Sequence, residues 1–201
     1  MNRSAMTHRL SVLAAFLLPL TIAGCGSPPP AERAPLAGAA IGGPFALTDK
    51  TGRTVRWSDF AGRYRIVYFG YTFCPDACPT DVATMMRGYD RFEKAEPKLA
   101  AQVQPIFITI DPARDRPAIV GEFAAAFSPK LLGLTGTPAQ VDAAAKAFVV
   151  YYAKGKQTSG GYLMDHSRIA YLMGRKGEPI AMLPVDQGAE AVAAELAKWV
   201  K

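Results

Sequence analysis

The chain has 201 residues, half of them apolar, which is enough for one well-buried domain but not comfortably for two. Its 23 lysines and arginines against 17 acidic residues give a formal net charge of +6, and the basic residues are scattered along the sequence. A nucleic-acid-binding protein concentrates such residues on one face or in one run, so the composition argues against nucleic acid as a partner.

The first 24 residues have the layout of a bacterial secretory signal peptide. Arg3 and Arg9 precede an apolar segment over residues 10–22, which is shorter than the ~20 residues that a spanning helix needs. The small residues before Cys25 resemble a lipobox, so we expect Cys25 to become a lipidated N-terminus. An uncleaved anchor helix is the alternative. Either way, the domain would be tied to the cell envelope and face the periplasm. Gly26 leaves the choice of membrane open, and we favour the inner membrane.

Residues 25–44 are predicted to be the lipidated cysteine and a linker. Residues 26–44 are rich in proline, alanine and glycine and lack an apolar period. Extended at ~3 Å per residue, this segment could hold the following domain, residues 45–201, up to roughly 50 Å from the bilayer. A merely disordered tail would have the same composition.

The remaining sequence predicts an alternation of strands and helices. The predicted elements are a β-hairpin from residues 45–48 and 54–57, a buried strand at 65–69, a helix from Thr80, a second buried strand at 106–110, a helix at 117–127, an apolar run at 131–134, a helix at 138–151, strands at 169–173 and 179–185, and a closing helix at 189–200. This order indicates an α/β protein with a thioredoxin-like fold, in which helices flank a central mixed sheet, and with an N-terminal β-hairpin extension.

Cys74 and Cys78 lie between the first buried strand and the following helix. Pro79 lacks an N–H and suits the first helical position, so Cys78 is the predicted N-cap and Cys74 lies in the loop before it. Unpaired N–H groups and the helix dipole favour negative charge at this position. We therefore expect both thiols to have a lowered pKa and to carry the chemistry.

The spacing of the two cysteines favours a shared metal over a ready disulfide. Side chains four residues apart on a helix have Cβ atoms about 5–6 Å apart, whereas an unstrained disulfide needs about 3.8 Å. Two thiolates at that separation can bind one soft ion such as zinc or copper. Thioredoxins use one residue fewer between their cysteines, which also argues against plain disulfide exchange. A structural disulfide and two coincidental core cysteines are the alternatives.

His166 is the only histidine outside the N-terminal segment. It precedes a predicted strand that would begin near the cysteine loop in a thioredoxin-like layout, so its imidazole could be a third ligand. Two sulfurs and one nitrogen suit Cu(I), and they are acceptable to Zn²⁺ or, with an added oxygen ligand, to Cu(II). A purely structural histidine is the alternative. Asp165 would either orient the imidazole or be a surface charge.

Four separated motifs make the chain similar to the SCO/SenC family; they cover residues 71–79, 109–115, 134–137 and 165–167, in that order. The resemblance implies a membrane-tethered copper protein of thioredoxin-like fold that helps to assemble the copper A centre of cytochrome c oxidase. It also implies that Cys74, Cys78 and His166 are the copper ligands. For the loop at residues 111–115, it implies a role in shaping the site or a partner surface. The alternative for that loop is a helix cap at Asp111 with an Arg114–Asp115 surface pair.

We therefore expect a metallochaperone that takes up copper, as Cu(I), Cu(II) or both, from a donor protein. It would pass the metal to the copper-bearing subunit of cytochrome c oxidase or to another cuproprotein. A thiol–disulfide oxidoreductase is the second hypothesis, in which Cys74 and Cys78 are the catalytic pair that keeps an acceptor's cysteines reduced. His166 separates the two, because metal transfer needs it and disulfide exchange does not. A peroxidase of the peroxiredoxin kind shares the fold but finds no separate support in the sequence.

Overall fold

In the computed structural model of the protein, residues 32–158 and 161–201 are described, and Arg33–Lys201 form one compact unit. The predicted signal peptide and Cys25 lie outside the described residues. Within the described part of the chain, no helix combines the length and the hydropathy that a membrane span requires.

The elements follow one another in the predicted alternation, with one hairpin added. In chain order they are β1 (Ala46–Thr48), β2 (Thr54–Arg56), a short 3-10 helix (Trp57–Phe60), β3 (Tyr64–Gly70), α1 (Ala77–Ala95), α2 (Pro97–Ala100), β4 (Val103–Thr109), α3 (Pro117–Phe127), β5 (Leu132–Leu134), α4 (Pro138–Ala147), β6 (Tyr152–Thr158), β7 (Gly161–His166), β8 (Ala170–Met173), β9 (Pro179–Leu183) and α5 (Ala189–Trp199).

A mixed five-stranded sheet with the order β5-β4-β3-β8-β9 forms the centre of the unit. Strand β3 pairs in parallel with β4 and antiparallel with β8, and all of its residues are buried. A strand buried on both faces needs apolar residues at nearly every position, which explains its continuous apolar run. The predicted thioredoxin-like plan and its N-terminal hairpin, β1–β2, are thus confirmed.

Successive side chains of β3 enter the two opposite layers of the core, because side chains alternate across a strand. The Tyr68 hydroxyl donates a hydrogen bond to Asp81 of α1 at 2.8 Å. The Phe69 ring lies 5.5 Å from the ring of Phe148, just after α4. Helices therefore cover both faces of the sheet, and the end of β3 that carries the cysteine loop is held from both sides.

The β6–β7 hairpin is the largest element that the sequence did not predict; the other two are the 3-10 helix and α2, of four residues each. The helix predicted over residues 138–151 ends at Ala147, where Val150 N–H donates to the Ala145 carbonyl at 2.9 Å and closes the last turn. Strands β6 and β7 then form a two-stranded sheet of their own, separate from the central sheet. Most of its side chains are only half buried, so they leave no apolar period in the sequence.

The segment before β1 is attached to the domain rather than free. Leu36 N–H donates to the Ile180 carbonyl at 2.9 Å, and Gly42 N–H donates to the Ala147 carbonyl at 2.8 Å. Leu36 and Ile41 pack against the core. The compact unit therefore begins at Arg33, whereas the sequence predicted a linker up to residue 44. Two isolated apolar residues are too few to give a periodic pattern.

Candidate metal centre

The cysteine loop, residues 71–76, joins β3 to α1 and carries Cys74. Helix α1 begins at Ala77 with Asp76 as its N-cap, so the prediction that Cys78 is the N-cap is wrong: Cys78 lies within the first turn. Its backbone N–H, one of the donors without an intrahelical partner, donates to Cys74 Sγ at 3.3 Å. The Cys74 sulfur thereby takes the place of a capping acceptor.

Cys78 is fully buried, while Cys74 is partly exposed, and both are free thiols. Gly70, the last residue of β3, makes room for the Cys78 thiol. A Cβ atom at position 70 would lie 3.2 Å from Cys78 Sγ, 3.0 Å from Tyr68 Cε1 and 3.1 Å from Phe107 Cε2. These separations are tighter than ordinary van der Waals contact, so a larger residue would displace the sulfur or the rings around it.

His166 is the last residue of β7, and its Nε2 lies 3.0 Å from Cys78 Sγ. Its Nδ1 lies 2.9 Å from the Ser167 carbonyl oxygen. Because a carbonyl only accepts, Nδ1 must carry a hydrogen, so Nε2 is the ring nitrogen that faces the sulfur and that can offer a lone pair to a metal. Of the two roles expected for Asp165, the surface charge agrees with the structure, since Asp165 is exposed and the Ser167 carbonyl binds Nδ1 instead.

Two tyrosine rings hold the imidazole at a fixed angle. Tyr68 and Tyr71 lie edge-on to the His166 ring, with centroid distances of 6.3 and 6.0 Å and an interplanar angle of 88° in both cases. Edge-to-face packing is a favoured arrangement of aromatic rings. Both tyrosines are buried, so the ring has little freedom to turn away from Cys78.

The two thiols differ in charge. A hydrogen bond from the Cys78 thiol lowers the pKa of Cys74 to about 3; burial opposes this shift, and His166 and the N–H groups of Cys78 and Asp76 add to it. The same hydrogen bond, together with burial, raises the pKa of the Cys78 thiol. The prediction of a lowered pKa therefore holds for Cys74 and is wrong for Cys78. Cys74 is the thiolate, and Cys78 keeps its proton.

The three predicted ligands are neighbours, but they are hydrogen-bonded to one another rather than arranged around a common point. Cys78 contacts both Cys74 and His166, and Cys74 also interacts with His166. Within residues 32–158 and 161–201, no three histidine, cysteine or acidic side chains are spaced as a ready-made metal site. One thiolate, one thiol and one free imidazole nitrogen nevertheless form a soft donor set. A metal ion would have to replace the Cys78 proton and draw the three atoms together.

Asp115 binds the cysteine loop through hydrogen bonds from Thr72. This fully buried carboxylate accepts hydrogen bonds from the Thr72 N–H at 2.9 Å, from the Thr72 hydroxyl at 2.5 Å and from the Thr109 hydroxyl at 2.5 Å. Burial raises the pKa of Asp115. The alternative of an Arg114–Asp115 surface pair is wrong, because Arg114 pairs with Asp111 instead.

The same loop also contacts the strand that carries His166. Asp111 accepts a hydrogen bond from the Tyr162 hydroxyl of β7 at 2.7 Å. The guanidinium of Arg114 lies 3.7 Å from the centroid of the Tyr162 ring and 5.0 Å from that of Phe73 in the cysteine loop. Residues 111–115 thus contact both halves of the candidate centre, in accordance with the predicted role in shaping the site.

Sequence reasoning missed Asp81, Arg168, Tyr68 and Tyr71. Asp81 was the detectable one, since it is a carboxylate next to Val82 on the apolar face of a predicted helix, and a buried acid there requires a partner. The sequence around Arg168 has no such conflict between a charged residue and an apolar face, so nothing there indicated a partner. The tyrosines belong to an apolar run and its end, where an aromatic ring is ordinary core.

Comparison with known proteins connects this geometry to a family. Residues 33–201 match the SCO1/SenC family model. The chain is 38% identical over 162 residues to the human mitochondrial protein SCO1 homolog, covering 80% of this chain and 53% of that protein. It is 38% identical over 185 residues to protein SenC of Rhodobacter capsulatus, covering 88% and 82% of the two chains. The chain thus spans only about half the length of the human relative.

Two of the most similar solved structures hold copper. Arabidopsis thaliana ScoI with copper bound superimposes with a TM-score of 0.74 at 34% identity, covering 79% of this chain and 97% of that one. Bradyrhizobium japonicum ScoI with copper bound gives a TM-score of 0.71 at 37% identity, covering 80% and 99%. With a family model that matches the entire compact unit and relatives that share its fold and a third or more of its residues, this chain belongs to the SCO1/SenC family.

Proposed function

We propose that this protein is a copper metallochaperone of the bacterial cell envelope that binds copper through Cys74, Cys78 and His166. Its acceptor would be the copper-bearing subunit of cytochrome c oxidase or another cuproprotein. SCO1/SenC proteins are copper-binding assembly proteins of cytochrome c oxidase, and solved relatives hold copper. The observation that carries the proposal is His166 Nε2 lying 3.0 Å from Cys78 Sγ, with its Nδ1 bound to the Ser167 carbonyl and with Cys74 beside it.

The protonation states suggest an order of binding. The Cys74 thiolate is partly exposed and already ionised at neutral pH, so it would meet incoming copper first. His166 contributes a free lone pair, and Cys78 binds after it gives up its proton. Copper held by three protein atoms keeps a position open, through which an acceptor's ligand can enter and replace Cys74 at the exposed side.

The membrane attachment is part of the same proposal. A lipid on Cys25 and the residues between it and Arg33 would tether the domain on the periplasmic side, which we place at the inner membrane. A copper donor protein and a membrane-embedded acceptor could then reach the same site. Radioactive palmitate labelling of the wild-type protein, lost in Cys25→Ser, would test the anchor.

Copper binding by the reduced protein is the decisive experiment. We expect one copper per chain by metal analysis, with sulfur and nitrogen ligands in X-ray absorption spectra. Cys74→Ser, Cys78→Ser and His166→Ala should each bind copper much more weakly, because two remaining ligands hold it less tightly than three. Asp165→Asn is the matched control, since it alters an exposed neighbour of His166 and should bind as the wild type does. No copper in the wild type, or unchanged binding in His166→Ala, would refute the proposed function.

A thiol–disulfide oxidoreductase is the second candidate, and the unequal thiols favour it. The Cys74 thiolate would attack an acceptor's disulfide, forming a mixed disulfide and releasing one acceptor thiolate. Cys78 would then lose its proton and attack Cys74 Sγ, releasing the second acceptor thiol and leaving Cys74 and Cys78 oxidised. Reduction of a disulfide-bonded acceptor peptide by His166→Ala at the wild-type rate would support this function. No reduction by the wild type, or a rate unchanged in Cys74→Ser, would speak against it.

A further inference from the structure

Asp81 is a buried carboxylate of α1, one helical turn after Cys78. Its side chain is 2% exposed, and it accepts three hydrogen bonds: from the Tyr68 hydroxyl at 2.8 Å, from Arg168 Nε at 2.9 Å and from Arg168 Nη2 at 2.6 Å. Two parallel N–H donors on one carboxylate fix the orientation of both side chains. The Asp81–Arg168 pair is therefore a directional link and not merely a contact between charges.

This link connects the two segments that carry the candidate ligands. Asp81 lies three residues after Cys78, and Arg168 lies two residues after His166. The residue between His166 and Arg168 is Ser167, whose carbonyl accepts the Nδ1 hydrogen bond of the imidazole. Fixing Arg168 on α1 thus fixes the short stretch of backbone that orients the His166 ring.

The link matters because the central sheet does not position His166. His166 ends β7, which pairs with β6 in a separate two-stranded sheet. The main sheet resumes only at Ala170, after Arg168. The Arg168 side chain is 51% exposed, so it acts from the surface, and its removal would leave no cavity in the core.

We propose that Arg168 is a positioning residue that holds His166 Nε2 against Cys78 Sγ by binding Asp81. It decides whether copper is held by three protein ligands or by the two sulfurs alone. This inference rests on the proposed function for its copper arm. Its structural arm, the position of the imidazole in the copper-free protein, is independent of that function.

Arg168→Ala is the first variant, compared with the wild type in the reduced protein. We expect its Cu(I) affinity, measured by competition with a chromophoric chelator, to fall about tenfold, the size of coupling seen between neighbouring residues of one network. X-ray absorption should show a weaker nitrogen contribution. In the copper-free variant, the NMR shifts of the His166 ring should move, since the ring leaves its place between Tyr68 and Tyr71. Arg168→Lys keeps the positive charge but lacks the two parallel N–H donors of the guanidinium, so its affinity and ring shifts should lie between those of the wild type and Arg168→Ala.

A double-mutant cycle separates positioning from general stabilisation. If Arg168 acts through His166, Arg168→Ala should change the copper affinity of the His166→Ala variant by less than about twofold. Arg91→Ala is the matched control: Arg91 is also on the surface, 54% exposed, and its ion partner Glu190 lies on α5, away from the His166 segment. That variant should leave both copper affinity and the ring shifts unchanged.

The outcomes distinguish this inference from the proposed function. A wild type that takes up no copper refutes the function, while the NMR comparison still decides the role of Arg168. A wild type that binds copper through nitrogen, with unchanged affinity and ring shifts in Arg168→Ala, refutes the positioning role alone. An equal loss of affinity with and without His166 also refutes it, because Arg168 would then act on the fold in general.

Discussion

The sulfur half and the nitrogen half of the candidate centre are held by different kinds of structure. Cys74 and Cys78 follow a central strand with covered faces, and Asp115 ties their loop to the core. His166 ends a half-exposed, two-stranded sheet beside the central one. The core thus fixes the sulfurs, whereas the small sheet, the Ser167 carbonyl and a few side-chain contacts fix the imidazole. Variants in each half should separate the two kinds of support.

Cys78→Ala should cause the largest change, within the sulfur half. The hydrogen bond from the Cys78 thiol is the leading cause of the low pKa of Cys74, about 3. Without it, that pKa should rise by several units towards the ordinary value of about 8.5. The ultraviolet absorbance of the thiolate, followed against pH, measures the shift. Cys74→Ala is the control and should show no thiolate at neutral pH. An unchanged titration in Cys78→Ala would assign the shift to the helix N-terminus and His166 instead.

The pH dependence of stability should follow the same thiol. The folded pKa of Cys74, about 3, lies below its unfolded value of about 8.5. The thiolate's contribution is therefore complete above about pH 8.5 and is lost as the pH falls towards about 3. Urea unfolding across this range should show a weaker pH dependence for Cys78→Ala than for the wild type.

Asp115→Ala should have the next largest effect, because it removes the anchor of the cysteine loop. The buried hydroxyl of Thr109 and the half-buried N–H and hydroxyl of Thr72 would lose their acceptor. At about 1–3 kcal/mol for a buried donor and less for the others, we expect the free energy of unfolding to fall by about 3–4 kcal/mol. Urea denaturation measures this. Asp165→Ala, at an exposed carboxylate, should change stability little. A loss below about 1 kcal/mol for Asp115→Ala would mean that the loop is held mainly by packing.

Val149→Gly should have the smallest effect, at the entrance to the hairpin of the nitrogen half. Val149 has φ of 55° and is 61% exposed, a backbone conformation that a β-branched residue adopts only under strain. Glycine should relieve it and raise the free energy of unfolding by about 0.5–1 kcal/mol, measured by thermal and urea unfolding. Val149→Ala removes the branch but keeps the Cβ atom, so it should gain less than glycine. Equal gains in both variants would locate the cause in the exposed side chain.

The difference between the sulfur half and the nitrogen half also explains which parts of the structure the sequence could predict. Central strands such as β3 are buried on both faces, so their apolar runs are continuous, and the cysteine and histidine motifs named the candidate ligands. The hairpin that carries His166 was missed because its half-exposed residues have no apolar period. The start of α1 was misplaced because proline is tolerated throughout the first turn, where N–H groups lack partners anyway, so Pro79 does not mark one position.

The contacts that join distant segments were beyond the reach of sequence patterns. Thr72 and Asp115 lie 43 residues apart, and Asp81 and Arg168 lie 87 apart. Nothing local in the sequence identifies which two residues will pair. A buried charge on an apolar helix face, as at Asp81, is the kind of local conflict that indicates a distant partner.

The acceptor for His166 Nδ1 is a main-chain carbonyl, that of Ser167. A carboxylate in this role could be protonated or lost by a single substitution, but a carbonyl has neither weakness. The nitrogen that carries the hydrogen is therefore set by the path of the chain, which the Ser167 side chain also helps to hold by accepting the Tyr151 N–H at 3.1 Å. A substitution would therefore change the orientation of the imidazole only if it moved this stretch of backbone.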